Sequence, residues 1–384
     1  MTSDLAVATC WLRGKGSGAP GLGRNRSRRS VLTAVGGIAF GALIAACSPL
    51  GTQAGPSTFS KDTTRTAQLS TVAEFPAGYF LENVAVRADG SMLVTALNKK
   101  ELWYVPAPTK DRLVQPVLLH TFDQPPFDIV ETERDVFYVD TTNFNSTHES
   151  YLHLVDLRHW EPGMPVPVKS VVKFPFLARA LNGSCALAPN VILVADSEVG
   201  LIWRVDLSAN GTKATAHVWL KDRSMNPNPF SHTKWPQPGI NGIEYAKKTN
   251  YLYYTSTAPQ LFMRMRVDPT TLDPEADPQT VARGRMWDDF DIDENAGVAY
   301  ITTHRQNTVE RVPLDPHSGQ AIQTVAGTPF DEQLVGPSDF AWGRGSDDYG
   351  SVAYVATDGG FAAPPPDGVA RTAKLLRIEL PDSK

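Results

Sequence analysis

The stretch PNVILVADSEVGLIWRVDL, residues 189–207, decides how this chain folds. A β-rich run, VILVAD, is followed by a short polar turn and a second β-rich run, LIWRVDL, which is the pattern of an antiparallel hairpin. Five further copies of the pattern occur, at 90–106, 134–157, 249–268, 296–315 and 350–380. Strand-rich repeats with a period of about 40 to 60 residues are typical of propellers. Residues 73–384 are therefore predicted to form an all-β, six-bladed β-propeller with four antiparallel strands in each blade.

The N-terminal residues lack this repeat. Arg28 and Arg29 precede an apolar run of 16 residues, 31–46, which Cys47 follows. The run is shorter than the roughly 20 residues that a membrane-spanning helix needs. The paired arginines resemble a twin-arginine export signal, and the sequence IAAC resembles a bacterial lipobox. We predict a signal peptide at 1–46 and a flexible, lipid-anchored tether at 47–72. The alternative is a membrane-tethering helix that is never cleaved.

This prediction makes the protein an exported lipoprotein, held on the periplasmic or extracellular face of a membrane through Cys47 alone. Removal of Cys10 with the signal would leave Cys185 as the only free thiol, so no disulfide framework could stabilise the fold. Residues 1–46 hold six Lys and Arg but one acid, Asp4, so their removal changes the formal charge from −5 to −10. Because nucleic-acid binding requires a basic face, we expect a small-molecule partner and no nucleic acid. No sequence feature specifies an oligomeric state.

One position of the repeat is predicted to bring polar side chains together. About eleven residues upstream of each VILVAD-like run, at intervals of 45 to 59 residues, stand Glu82, Phe127, Asn182, Asn241, Asp288 and Ser338. The innermost strand of every propeller blade lines the central channel, so these residues should meet at one mouth. Glu82, Asn182, Asn241 and Asp288 offer oxygen ligands, which suit a divalent cation such as Ca²⁺. Mg²⁺, Mn²⁺ and Zn²⁺ are alternatives, although the column has no His or Cys.

The next position of the repeat forms a second column, with Asn83, Asp128, Gly183, Gly242, Asp289 and Asp339. Glycine at two of these positions would allow close backbone or ligand approach. Asp128 and Asp289, together with Asp288, are candidates for the general base of a hydrolytic reaction. The alternative is that the aspartates of the second column cap strand-end amides.

Four further residues are predicted to line the substrate pocket. Phe127 would supply an apolar wall, and His304 follows a blade strand. His232 and Trp235 belong to the long loop 221–240, which leads into the strand at Asn241. Long irregular loops in compact domains are often binding loops. For a lone histidine such as His304, a surface loop position is the alternative.

The motifs ENVAVRADG, LNGS, GINGIEY and WDDFDID, within residues 73–381, resemble the senescence-marker-protein/gluconolactonase (regucalcin-like) family of six-bladed propellers. The resemblance implies that Glu82, Asn182, Asn241 and Asp288 bind one divalent cation. The family's EGPxW start appears here as Glu82–Val86, and its PDG motif appears as Trp287–Asp289. The Glu-Asn pair and the acidic doublet are similar to paraoxonase-type propellers. The resemblance therefore supports a metal site in this protein more strongly than it supports a sugar substrate.

The sequence thus predicts a metal-dependent hydrolase of lactones or related small cyclic esters. The cation would polarise the carbonyl and activate water. Two alternatives stay open: a non-catalytic ligand-binding propeller with a structural metal, and a strictosidine-synthase-like or isomerase activity on the same scaffold. Retention of all four metal positions counts against a strictosidine-synthase-like site, which uses no metal.

Overall fold

A computed structural model describes residues 66–109, 112–144, 146–227, 237–329 and 331–381. These residues form six antiparallel sheets of four strands each, so the predicted six-bladed propeller is confirmed. Within these ranges the helical elements are 3-10 turns, at Leu97–Lys99 and Arg223–Met225. None of the described segments is a helix long and apolar enough to cross a membrane. The predicted signal peptide and Cys47 lie outside the described residues.

Strand β1 (Gln68–Ala77) comes first in the chain, and the next twenty strands form five blades in sequence order. The first blade contains β2 (Leu81–Val86), β3 (Met92–Ala96), β4 (Glu101–Val105) and β5 (Val117–Thr121). The second contains β6 (Pro126–Glu133), β7 (Val136–Thr142), β8 (Ser150–Asp156) and β9 (Val168–Lys173). The third contains β10 (Leu181–Ala188), β11 (Val191–Asp196), β12 (Leu201–Leu207) and β13 (Ala214–Lys221). The fourth contains β14 (Ile240–Ala246), β15 (Tyr251–Ser256), β16 (Leu261–Arg266) and β17 (Gln279–Arg283). The fifth contains β18 (Phe290–Asp293), β19 (Val298–Thr303), β20 (Thr308–Pro313) and β21 (Gln323–Gly327).

The sixth blade joins the two ends of the propeller. It contains β22 (Pro337–Trp342), β23 (Val352–Thr357), β24 (Thr372–Glu379) and, as its outermost strand, β1. The β1–β24 pairing runs from Gln68 opposite Glu379 to Ala77 opposite Thr372, and it closes the ring. Residues 68–72 belong to this strand. The predicted tether, 47–72, therefore extends five residues too far. Their polar composition suggested a linker, but β24 supplies the backbone partners that make them a strand.

The core lies between neighbouring blades. The second strands of the blades are its most buried parts, and every residue of β3, β7, β11 and β19 is buried. Sheets that are covered on both faces select continuous apolar runs and not alternating ones. Tyr138 of the second blade and Trp203 of the third pack in one such cluster. This explains why VILVAD-like runs mark every blade.

Threonines at one repeat position tie neighbouring blades together. The Thr255 hydroxyl accepts a hydrogen bond from the Gly242 N–H (3.0 Å) and donates to the Asp288 carbonyl of the next blade (2.6 Å). Thr95 and Thr302 donate in the same way to carbonyls of the blade that follows each of them. These contacts fix the inner strands around the channel, because buried backbone groups must find partners.

The second blade places Asp140 at the position of these threonines. Asp140 is fully buried, and its carboxyl oxygens have no hydrogen-bond partner among the described residues. Burial, and then the charge of Asp128, raise the pKa of Asp140 well above its usual value. A carboxyl with a raised pKa keeps its proton in the folded state and releases it in the unfolded state above about pH 4. This residue therefore costs stability as the pH rises.

Asp140→Thr is expected to raise the free energy of unfolding at pH 7 by about 1 to 3 kcal/mol, because it removes an unsatisfied buried carboxyl. The stability of the wild type should fall as the pH rises above about 4, and this fall should be shallower in the variant. Urea unfolding at pH 5, 6, 7 and 8 measures both effects. Asp277→Thr, at an exposed position, is the control. Equal or lower stability of Asp140→Thr at pH 7 would contradict the expectation.

Candidate active site

The first column of the repeat lies at one mouth of the channel. Five of its six members are the second residues of the innermost strands: Glu82, Phe127, Asn182, Asn241 and Ser338. Asp288 stands two residues before β18, but its N–H donates to the Thr302 carbonyl (2.9 Å), which keeps it in register with β19. The residues that the sequence spacing selected therefore lie at equivalent positions of the six blades.

Both asparagines of the column are held by the residue that follows the second strand of their own blade. The Asn182 Nδ2 donates to the Ser197 hydroxyl (3.1 Å), and the Asn241 Nδ2 donates to the Thr257 hydroxyl (2.9 Å). The Thr257 hydroxyl in turn donates to the Trp287 carbonyl (2.7 Å), which fixes its acceptor lone pairs toward the amide. The amide nitrogens are thus engaged by the protein. The Oδ1 atoms are the groups left to accept a hydrogen bond or to bind a cation.

Asp288 lies at the centre of a charged chain across three blades. Its Oδ1 accepts a hydrogen bond from Asn241 Nδ2 (2.5 Å), and its Oδ2 lies 3.3 Å from His304 Nδ1. His304 Nε2 lies 3.0 Å from Oδ2 of Asp358, whose side chain is wholly buried. Burial alone would lower the pKa of His304, but Asp358 and Asp288 raise it overall. The imidazolium form is therefore stabilised between two carboxylates.

The first column contains two acids, of which Glu82 is partly exposed and Asp288 is buried. Its pKa is raised well above the usual value, first by burial and then by the charges of Asp288 and Asp358. The pKa of Asp288 is raised to about 6 by burial, and His304 and the Asn241 hydrogen bond counteract this rise. Glu82 is consequently the group of this cluster that most readily carries a proton near neutral pH.

Aromatic side chains cover one side of the mouth. Phe80, Phe127, Phe144 and Phe361, called here the aromatic wall, lie in two ring contacts, with centroids 5.5 Å apart for Phe127 and Phe144 and 6.2 Å apart for Phe80 and Phe361. The ring of Phe80 also lies 5.4 Å from that of His304, so the wall continues into the charged chain. Phe80 precedes Glu82 by two residues, and the apolar and acidic parts of the mouth therefore adjoin.

The aspartates of the second column bind backbone amides. Asp128, Asp289 and Asp339 each accept a hydrogen bond from the N–H of the following residue. Asp128 also accepts from the Ser184 N–H, and Asp339 accepts from the Val84 N–H (2.8 Å), each in a neighbouring blade. These are the contacts of strand-end caps. The general-base role of Asp128 and Asp289 stays a prediction.

Gly183 and Gly242 allow the inner strands of neighbouring blades to approach closely, one residue after the first column. A Cβ atom on Gly183 would lie 2.5 Å from the carbonyl oxygen of Asn241, and one on Gly242 would lie 2.1 Å from Oδ1 of Asp289. Both positions therefore require glycine, because no side chain fits between the strands. The close approach that the sequence suggested is made by the protein's own atoms.

The sequence missed several residues of the mouth. Phe80, Phe361 and Asp358 were not identified, nor was Arg305, whose Nε donates to Gln237 Oε1 (3.0 Å). One signal was available, because one position at the end of the second strands forms a column of its own. In five blades it is the residue after the strand, and in the second blade it is the last residue of β7: Leu97, Thr142, Ser197, Thr257, His304 and Asp358. His304, predicted for the pocket, lies in this column. His232 and Trp235 lie outside the described residues.

The donor set at the mouth fits a hard divalent cation. Two carboxyls, Glu82 and Asp288, adjoin two asparagines whose amide nitrogens are turned to protein hydroxyls, which leaves oxygen atoms for the ion. Oxygen donors of this kind suit Ca²⁺. Among the described residues no group of three or more His, Cys, Asp or Glu side chains has metal-binding geometry, which is the arrangement that zinc most often uses.

No protein-family model matches the chain. Two curated proteins are similar to it in sequence. A putative hetero-Diels-Alderase from Sarocladium schorii is 26% identical over 334 residues, covering 77% of this chain and 79% of that protein. A putative hetero-Diels-Alderase from a Phoma species is 26% identical over 313 residues, covering 73% and 84%.

Solved structures share the fold at lower identity. A luciferin-regenerating enzyme superposes with a TM-score of 0.57 at 12% identity, covering 82% of this chain and 95% of that one. A calcium-binding protein, regucalcin, from Agrobacterium tumefaciens superposes with a TM-score of 0.52 at 15% identity, covering 82% and 92%. The predicted resemblance to regucalcin-like propellers is thus confirmed for the fold, while membership of that family stays a prediction.

Proposed function

We propose that this protein is an enzyme that binds a small, largely apolar molecule bearing an α,β-unsaturated carbonyl, and closes a ring by a hetero-Diels–Alder reaction at the channel mouth. The observation that carries the proposal is the position of Glu82 two residues after Phe80 of the aromatic wall, since the pKa of this carboxyl is raised well above its usual value. In this reaction the C=C and C=O π bonds of the heterodiene and the π bond of the alkene are replaced by one C–C bond, one C–O bond and one new C=C bond within the ring, and every atom of the reactants is retained.

The mouth supplies the two requirements of such a ring closure. The aromatic wall offers a flat apolar surface on which the two reacting π-systems can be held together, and orientation of this kind lowers an activation barrier substantially. Protonated Glu82 donates a hydrogen bond to the carbonyl oxygen of the heterodiene, which withdraws electron density and speeds attack by the alkene. Burial, and then the charges of Asp288 and Asp358, raise the pKa of Glu82 well above its usual value and so favour this protonated form.

His304 acts as a positioning residue in this proposal. Its Nδ1 lies 3.3 Å from Asp288 Oδ2 and its Nε2 lies 3.0 Å from Asp358 Oδ2, so the imidazole lies between these two carboxylates and helps to hold them in place. The two fungal relatives, both named as putative hetero-Diels-Alderases, support this class of reaction over the larger part of the chain.

The test compares Glu82→Gln with Glu82→Ala on a panel of α,β-unsaturated ketones and electron-rich alkenes, scored for dihydropyran products. An amide is a weaker donor than a carboxylic acid, so Gln should lower kcat/KM by about tenfold, and Ala should lower it by about a hundredfold or more. Glu275→Gln, an exposed position on an outer strand connection, is the control and should keep wild-type activity. No ring closure above the buffer rate by the wild type would overturn the proposal.

A second candidate is the metal-dependent lactonase predicted from the sequence, and the four oxygen-bearing side chains of the first column favour it. Glu82, Asn182, Asn241 and Asp288 would hold the cation. When bound, a divalent cation supplies Lewis-acid polarisation of a carbonyl oxygen. In that case Asp288, whose Oδ2 is paired with His304, would bind the cation through Oδ1, which also accepts the Asn241 amide.

Chelation separates the two candidates. Lactone hydrolysis that is lost with a chelator and restored by Ca²⁺, together with equal losses in Glu82→Gln and Glu82→Ala, would support the lactonase. Ring closure that is insensitive to the chelator supports the first proposal. If neither reaction occurs but ligands bind at the mouth, the non-catalytic binding propeller is the remaining function. Export through Cys47 is proposed independently of the reaction.

A further inference from the structure

A second cavity is lined by the inner strands from the second column onward. Its volume is about 390 Å³, and all its lining residues on the inner strands lie downstream of the first column, from Asn83 to Val86 on β2 and at the matching positions of the other blades. It therefore opens at the mouth opposite to the candidate active site. We call it the far cavity. Its size falls in the range of small-molecule sites.

The wall of the far cavity has two chemically different sides. At one level of the six inner strands stand, in blade order, Ala85, Val130, Cys185, Glu244, Asp291 and Ala341. Two neighbouring blades thus present carboxyls, while the opposite blades present small apolar side chains. Tyr245, Trp342 and Tyr349 also line the cavity and give it an aromatic rim.

The far cavity is strongly acidic. Six acidic side chains line it, against two basic ones, Lys247 and Arg344. Arg344 is neutralised by an ion pair with Glu131, and Lys247 is exposed. Burial, together with neighbouring carboxylates, raises the pKa of Glu244 well above its usual value and raises that of Asp291 to about 7. This crowding means that a bound positive charge would relieve repulsion within the cavity.

An unpartnered hydroxyl is a second, independent feature of the far cavity. Ser184 lines it and is only 8% exposed. Its Oγ lies near Asp128, but it has no hydrogen bond of acceptable geometry within the described part of the chain. Buried hydroxyls are nearly always bonded, and an exception in a polar cavity indicates a missing partner. A ligand with N–H donors would satisfy both this oxygen and the carboxylates.

We infer that the far cavity binds a small organic ammonium ion with a short alkyl chain. The ammonium group would bind between Glu244 and Asp291, the alkyl chain would contact Ala85, Val130 and Ala341, and the aromatic rim adds cation–π attraction. Anions are disfavoured by the excess of acidic groups.

Isothermal titration calorimetry of the whole protein with n-butylamine, n-butanol, sodium chloride and calcium chloride tests the inference. Butylammonium should bind saturably, and butanol should not. Glu244→Gln should weaken butylammonium binding by about tenfold or more, since it removes one charge of the pair. Butanol binding as tightly as the amine, or displacement of the amine by equimolar sodium or calcium, would overturn it.

Three further variants guard against a folding artefact. Ala341→Phe fills the apolar side of the far cavity and leaves every carboxyl in place, so it should abolish binding while the thermal unfolding midpoint stays near that of the wild type. Glu275→Gln removes an exposed carboxyl elsewhere and should leave the affinity unchanged. Glu82→Gln, at the other mouth, should also bind normally. Unchanged affinity in both Glu244→Gln and Ala341→Phe would show that the amine binds at another place.

Discussion

Asp288→Ala is expected to lower kcat/KM by about a hundredfold or more, whichever of the two proposed reactions the protein catalyses. The variant loses the carboxylate that accepts the Asn241 amide and pairs with His304. Glu82 would also lose the negative neighbour that contributes most to its raised pKa after burial. Charge placed in a low-dielectric site is worth several kcal/mol, so both the oriented amide and the proton of Glu82 are affected.

The pH dependence of this variant separates a chemical role from a structural one. Since Asp288 raises the pKa of His304, its removal should lower the pKa of the imidazole. The histidine titration, followed by NMR, should then move to lower pH than in the wild type. Asp277→Ala, at an exposed position, should keep both activity and titration. Wild-type activity of Asp288→Ala would contradict both proposed mechanisms.

Gly183→Ala is expected to destabilise the propeller by about 3 kcal/mol or more, because the added methyl group collides with backbone and not with a movable side chain. The nearest atoms to the new Cβ belong to Asn241, Gly242 and Ile243 of the next blade, the closest at 2.5 Å. The two inner strands must separate to admit it, which also displaces Asn241. Urea unfolding measures the loss.

Gly297→Ala is the matched control for this prediction. Gly297 has a positive φ of 66°, but a Cβ there would meet nothing within 4 Å. The control therefore reports the cost of backbone conformation alone, about 1 kcal/mol. If both variants lose the same stability, the collision at Gly183 is relieved by a small movement, and the tight contact between the blades is wrong.

The repeat was predictable because the second strands of the blades are buried on both faces. Runs such as VILVAD recur for that reason, and their spacing placed Glu82, Asn182, Asn241 and Asp288 at one level of the channel. The start of β1 was not predictable from its own residues. Gln68 to Val72 become a strand through pairing with β24, a contact between the two ends of the chain that local composition does not encode.

Sequence analysis could predict which residues lie at the level of the mouth, but it could not predict the contacts that their side chains make. His304 was identified as a pocket residue, but its position between Asp288 and Asp358 depends on side-chain directions in two blades. The aromatic wall draws Phe80 and Phe144 from connections outside the repeat pattern, so no alignment of the copies reveals it. The oxygens of the second column could be located by spacing, yet their backbone partners in adjacent blades could not.

The closure of the ring by β1 also sets the order in which the protein can mature during synthesis. The β1–β24 pairing joins Gln68 to Glu379, so the sixth blade stays incomplete until almost the whole chain has left the ribosome. Contacts between residues so distant in sequence form slowly. Asp358 belongs to this last blade, and so does Asp339, which holds the Val84 N–H. A nascent polypeptide therefore carries Glu82 from early on, but the ion pairs of Asp288, His304 and Asp358 can form beside a complete sixth blade only after residue 379 has been synthesised.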